Sequence, residues 1–139
     1  EGSSVLSALA LGADFAYVGT KFIATEEANA SPGYKQMIID STANDIMYSA
    51  TFTGVDGNYL RPSVVAAGLD PEEHTSGSKD DMNFSSSAIA KKDNSSKAWK
   101  DIWGSGQGIG SIKDAPSVED AVDKMVEEYQ EAKKRLDQF

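Results

Sequence analysis

Glycine followed by threonine at the end of an apolar run is the pairing in this chain that most readily suggests chemistry. Phe15, Ala16, Tyr17 and Val18 run straight into Gly19 and Thr20. Glycine lets backbone approach a ligand closely, and two amides plus a hydroxyl could then donate to phosphate oxygens. If the run is a barrel strand, phosphate sites commonly lie in the loops after the last two strands. An ordinary strand end reads the same way, so spacing alone leaves both open. The glycine-rich loop at residues 104–110, GSGQGIG, is a second candidate. It is not G-x-G-x-x-G and no buried strand leads into it, which argues against a dinucleotide site. It either lets backbone approach a planar ligand or is a flexible connection.

The titratable residues offer less. His74 is the single histidine and sits in a polar turn, where a solvated side chain is the simpler reading than a general base. Glu26 and Glu27 look like first-turn carboxylates of a helix opening at Thr25. Asp80 and Asp81 lack the ligand spacing of a calcium loop. With no cysteine, disulfides, thiolate metal sites and a cysteine nucleophile are excluded. No metal site and no catalytic residue is assigned. Trp99 and Trp103, four apart, read as packing residues on one helix face.

The elements that must position these groups follow from pattern. Ser3 or Ser4 can cap a short helix that ends at Gly12. The run from Phe15 to Val18 reads as a strand buried on both faces, as in parallel sheets. Ser31 and Pro32 open a helix carrying Tyr34, Met37 and Ile38. Residues 46–60 are mixed, with Gly54 and Gly57 as turn signals. Arg61, Pro62 and Ser63 open a short helix through Val64, Val65 and Ala66, stopped by Gly68. Residues 70–97 read as a long polar surface excursion, and residues 98–103 as one or two helical turns. Ser117 to Asp120 resembles a capping box. It opens an amphipathic helix whose stripe is Val118, Ala121, Val122, Met125, Val126, Tyr129, Ala132 and Leu136.

Net charge is −9, which repels nucleic acid and anionic membrane surfaces; neither is an expected partner. No apolar run approaches the roughly 20 residues of a membrane span. The abrupt start, without Met or leader, suggests a fragment, an excised domain or a cleaved product, and a cytoplasmic setting is expected. On physics alone the chain is an acidic α/β piece with a candidate phosphate contact and no named reaction.

Residues 8–38, ALALGADFAYVGTKFIATEEANASPGYKQMI, resemble the nitronate monooxygenase family, also called 2-nitropropane dioxygenases. That family has a Gly-Ala-Asp turn, a last barrel strand ending in Gly-Thr-Arg-Phe, then Ala-Thr-Glu-Glu. Lys21 stands at the Arg position. Residues 52–71 and 97–112 are similar to a bacterial branch of the family, in the same order. The resemblance implies the C-terminal portion of an FMN-binding (β/α)8 (TIM) barrel with a helical substrate-side subdomain. Residues 1–45 would hold the last helix and strand of the barrel and the following helix. Residues 46–112 would form an inserted subdomain, and residues 113–139 a C-terminal helix. Tyr17, Val18, Gly19 and Thr20 match the flavin-phosphate segment. Gly106 and Gln107 match an element near the active site.

The implied activity is oxidation of alkyl nitronates with O2, with FMN as cofactor. The family's catalytic His lies on an earlier strand, and His74 does not match it. A full barrel needs about 250 residues, so the fragment alone is expected to be inactive. Its partners would be the missing N-terminal part of the barrel, or a second copy, because an orphan strand left irregular or unpaired invites self-association. An FMN-dependent NAD(P)H reductase of the same fold, such as an enoyl-acyl-carrier-protein or quinone reductase, is the alternative. A non-catalytic helical module docking through Val122, Met125 and Tyr129 is another.

Overall fold

The computed structural model describes residues 1–50, 56–72 and 101–138. They divide into two units, each described by itself. One comprises Glu1–Ile39 with Ser111–Phe139, the other Asp40–Gly110.

In the first unit, helix α1 (Gly2–Ala10) packs on the final helix, α5 (Val118–Leu136). The helix starts ahead of Ser3 and Ser4, which were expected to cap it. Its N-cap is Glu1, with no side-chain cap, and both serines lie inside the first turn. The reason is tertiary. Gly2 is buried, and its N–H donates to Glu128 Oε2 of α5 at 2.7 Å. A Cβ at Gly2 would collide with Met125 O and Tyr129 N and come within 2.9 Å of Glu128 Cβ. A partner helix therefore replaces the serine cap. The other end follows the sequence: Gly12 has φ of +95°. Gly12 N–H bonds Leu9 O at 3.0 Å and Ala13 N–H bonds Ala8 O at 3.1 Å, which is a Schellman closure.

The expected buried strand does not form a ladder. Residues 15–19 carry no strand pairing, Phe15 is 90% exposed and Tyr17 100%. A strand buried on both faces needs neighbours for its N–H and C=O groups. Among the described residues none lies beside it. Helix α2 (Thr20–Ile23) follows at once. The helix expected at Thr25 is absent; residues 24–28 are a turn and bends. Helix α3 (Pro32–Asp40) opens as expected, with Ser31 Oγ accepting from Tyr34 N–H at 3.3 Å. Its Ile38 is fully buried.

Helix α5 is capped as its sequence indicates: Ser117 Oγ accepts from Asp120 N–H at 3.0 Å. Its apolar stripe is covered on one side only. Ala121 and Ala132 are buried, whereas Val118, Val122, Val126 and Leu136 remain exposed.

The second unit holds a hairpin where the sequence read as mixed. Strands β1 (Ile46–Ser49) and β2 (Gly57–Leu60) pair antiparallel, with Ile46 opposite Leu60 and Ser49 opposite Gly57. Thr42 and Asp45 form a capping box just before β1, with Thr42 N–H donating to Asp45 Oδ2 at 2.7 Å. Along the far edge of β2, Leu60 N–H reaches Trp103 O at 2.7 Å and Ser105 N–H reaches Asn58 O at 3.1 Å.

Helix α4 (Arg61–Ala66) and its glycine stop match the sequence. Gly68 has φ of +79°, and Leu69 N–H bonds Val64 O at 3.1 Å. Leu69 and Tyr59 pack on the small core of Met47, Val64 and Ile102. Full burial of a side chain such as Val64 is worth about 1.5–3 kcal/mol. Asp101 is helical, but Trp103 has left the helix to pair with β2. His74, Asp80, Asp81, Trp99 and most of the polar excursion lie outside the described residues.

Candidate functional site

Residues 17–20 join a segment without strand pairing to α2. Tyr17 and Gly19 are exposed, Val18 and Thr20 half-buried. Gly19 has φ of −105° and ψ of −70°, a conformation open to any residue. A Cβ there would meet only Tyr17 Cε1, at 3.9 Å. Neither backbone strain nor crowding therefore requires glycine at this position. What the missing Cβ leaves is room above the turn, which a phosphate needs to approach the amides.

Phe22 and Ile23 N–H groups donate to Gly19 O at 3.0 and 3.3 Å, and Ala24 N–H to Thr20 O at 3.4 Å. The amides of Thr20 and Lys21 thus precede the helical hydrogen bonds. Residues 17–22 contain no carboxylate, and Lys21 is their single charge. A donor set of amides, one hydroxyl and one ammonium suits an anion.

The loop after α2 is held by residues distant in sequence. Thr25 is nearly completely buried, and its Oγ1 donates to Phe22 O at 2.8 Å. Lys35 Nζ donates to the carbonyls of Thr25 at 2.6 Å and Glu26 at 3.0 Å. Glu26 N–H donates to Pro116 O at 3.0 Å. Sequence reasoning missed Lys35. The available signal was its place one turn before Ile38, on the buried face of α3, where an ammonium needs a partner. Tyr34 beside it is partly buried, and that burial raises its phenol above the usual tyrosine value.

Gly106 and Gln107 belong to the other unit, and both are exposed. Gly106 O accepts from Ile109 N–H at 3.2 Å, at the start of a 3-10 helix, Gln107–Ser111, whose Ile109 is fully buried. The glycine of this loop that needs close approach is Gly104: a Cβ there would lie 3.3 Å from Asn58 O. That approach is to β2. Gly108 and Gly110 have open space around them. No helix among the described residues is long and apolar enough to cross a membrane.

The family model for nitronate monooxygenase matches residues 1–128. The chain belongs to the nitronate monooxygenase family. A nitronate monooxygenase of Paraburkholderia phytofirmans is 32% identical over 71 residues, covering 51% of this chain and 19% of that protein. FabK from Thermotoga maritima matches in structure with a TM-score of 0.71 at 22% identity, over 99% of this chain and 44% of that one. A single-residue variant of FabK gives 0.70 at 21% identity, over 99% and 41%.

At such identities the likeness shows the fold, which is that of part of a TIM-barrel enzyme. The chain spans less than half of the solved FabK chains and about a fifth of the nitronate monooxygenase it matches. Family membership makes this an oxidoreductase family domain.

Proposed function

We propose that this chain is the phosphate-binding end of an FMN-dependent oxidoreductase that oxidises alkyl nitronates with O2. The observation that carries the reading is the family match over residues 1–128. The open space at Gly19 and the carboxylate-free donor set of residues 17–22 support its placement. FMN, when bound, supplies the electron acceptor for the oxidation. The amides of Gly19 and Thr20 and the Thr20 hydroxyl donate to its phosphate. Tyr17 and Val18 shape the approach. No residue of this chain is assigned the proton transfer. By themselves these residues give no turnover, because a complete barrel needs about 250 residues. The partner they require is the remainder of such a barrel.

A second reading is an FMN-dependent NAD(P)H reductase. The likeness to FabK is to a fold both readings share and does not separate them. The deciding experiment mixes the full-length natural polypeptide, loaded with FMN and free of oxygen, with an alkyl nitronate and separately with NADH. Bleaching of the flavin absorbance by nitronate and not by NADH is the expected result. Bleaching by NADH alone would replace the oxygenase with the reductase. A polypeptide that retains no flavin would overturn both.

A further inference from the structure

The turn that follows residues 17–20 is fixed by groups that the flavin reading does not use. Helix α2 has four residues, far too few to hold a direction of its own in water. On its amino side, residues 15–19 have no strand pairing. Helix α2 also packs on α5, and its carboxyl side is tied by side-chain hydrogen bonds. Thr25 Oγ1 donates to Phe22 O at 2.8 Å, closing the end of α2. The carbonyls of Thr25 and Glu26 then both accept from Lys35 Nζ, at 2.6 and 3.0 Å. Charge-assisted bonds of this kind are roughly twice as strong as neutral ones. Lys35 stands on α3, three residues before the fully buried Ile38, so its backbone is anchored.

We propose that Lys35 is a positioning residue for the phosphate-binding segment. By gripping the carbonyls of Thr25 and Glu26, it holds α2, and through α2 it sets the donors at Gly19 and Thr20. The proposal rests on residues 17–20 being the phosphate contact. Lys35 acts through backbone, so its loss weakens recognition of the phosphate rather than of the flavin ring.

The test compares FMN with riboflavin, which lacks the phosphate, by fluorescence titration of the full-length natural polypeptide freed of flavin. Lys35→Met removes the ammonium and keeps the stem. Thr25→Val removes the hydroxyl link at nearly constant shape. Lys35→Arg keeps a cationic donor. The wild type is expected to prefer FMN. Lys35→Met and Thr25→Val should each cut that preference about tenfold, with riboflavin binding unchanged, and Lys35→Arg should retain most of it. Amide hydrogen exchange at Phe22, Ile23 and Ala24 should quicken in Lys35→Met.

If the wild type prefers FMN and both variants keep the preference, the inference is overturned and the phosphate reading stands. Equal losses for the two flavins would make Lys35 a general stabiliser and also overturn it. A wild type without preference removes the phosphate reading and the inference together. Should Lys35→Met fail to fold, Thr25→Val decides by the same criterion.

Discussion

The N–H of Val118 lies 3.0 Å from each carboxylate oxygen of Glu27, across 91 positions of sequence. Val118 is the first residue of α5, so Glu27 places a negative charge on the open amino end of the longest helix in the described structure. Ser117 caps the same end from within. One helix start is thus satisfied by a local hydroxyl and a remote carboxylate, which suits both its free N–H groups and its dipole.

Glu27→Ala is expected to destabilise the fold by about 1 kcal/mol, in line with the loss of a capping interaction. Glu27→Gln keeps an acceptor without the charge and should cost about half as much. Thermal unfolding at low and high salt checks both, and the difference between the two variants should shrink as salt rises.

Gly2→Ala is a sharper test of the α1–α5 packing. The added methyl has nowhere to go, since Met125 O and Tyr129 N already occupy its position. Backbone atoms do not rotate away, so the helices must separate. A loss of about 1–3 kcal/mol is expected, typical of overpacking. Urea denaturation measures it. A variant as stable as the parent would show that α1 does not sit against α5 in this way.

These two residues also mark what could be read from sequence. The glycine stops at Gly12 and Gly68 and the Ser31 and Ser117 caps are legible, because each is decided within one helical turn; the α5 stripe indicates the helix but not its burial, since Val118, Val122, Val126 and Leu136 are exposed. The start of α1 is not legible, because Glu128 and the backbone of α5 decide it from more than a hundred positions away. Glu27 differs from its sequence expectation for the same reason: its type indicates a helix start, but the start it serves is that of α5, 91 positions away. The hairpin went unread because its strands have four residues each and too few alternations to show a period. At the candidate site, Gly19 and Thr20 were legible from their types, whereas the Lys35 contacts exist only in three dimensions.

Tyr34 gives a pH signature. Burial disfavours its ionised form and raises its pKa above the ordinary 10.0. The sign follows from linkage: the stability tied to the neutral phenol is fully present below 10.0, where folded and unfolded chains both hold the proton. It is lost as pH climbs from there through the folded value, because the unfolded chain ionises first. Tyr34→Phe should therefore flatten the alkaline fall in stability and leave the profile between pH 6 and 9 unchanged, these bounds being about a unit or more below the ordinary tyrosine value. Urea midpoints measured across pH for both proteins provide the comparison.

Gly19→Ala separates fold from binding most cleanly. The backbone at Gly19 has a negative φ that alanine can adopt, and the new methyl meets only Tyr17 Cε1 at 3.9 Å. Stability should hold within about 0.5 kcal/mol, or rise slightly through the lost freedom of the unfolded chain. The same methyl stands in the space through which a phosphate would reach the Gly19 and Thr20 amides. In the full-length natural polypeptide, FMN affinity should fall at least about tenfold, roughly the worth of one charge-assisted hydrogen bond, while riboflavin affinity stays put. A stable variant that binds FMN as before would mean that glycine at this turn serves neither the fold nor the phosphate. A variant destabilised by more than about 1 kcal/mol would instead show a close neighbour at this turn that the described residues do not include.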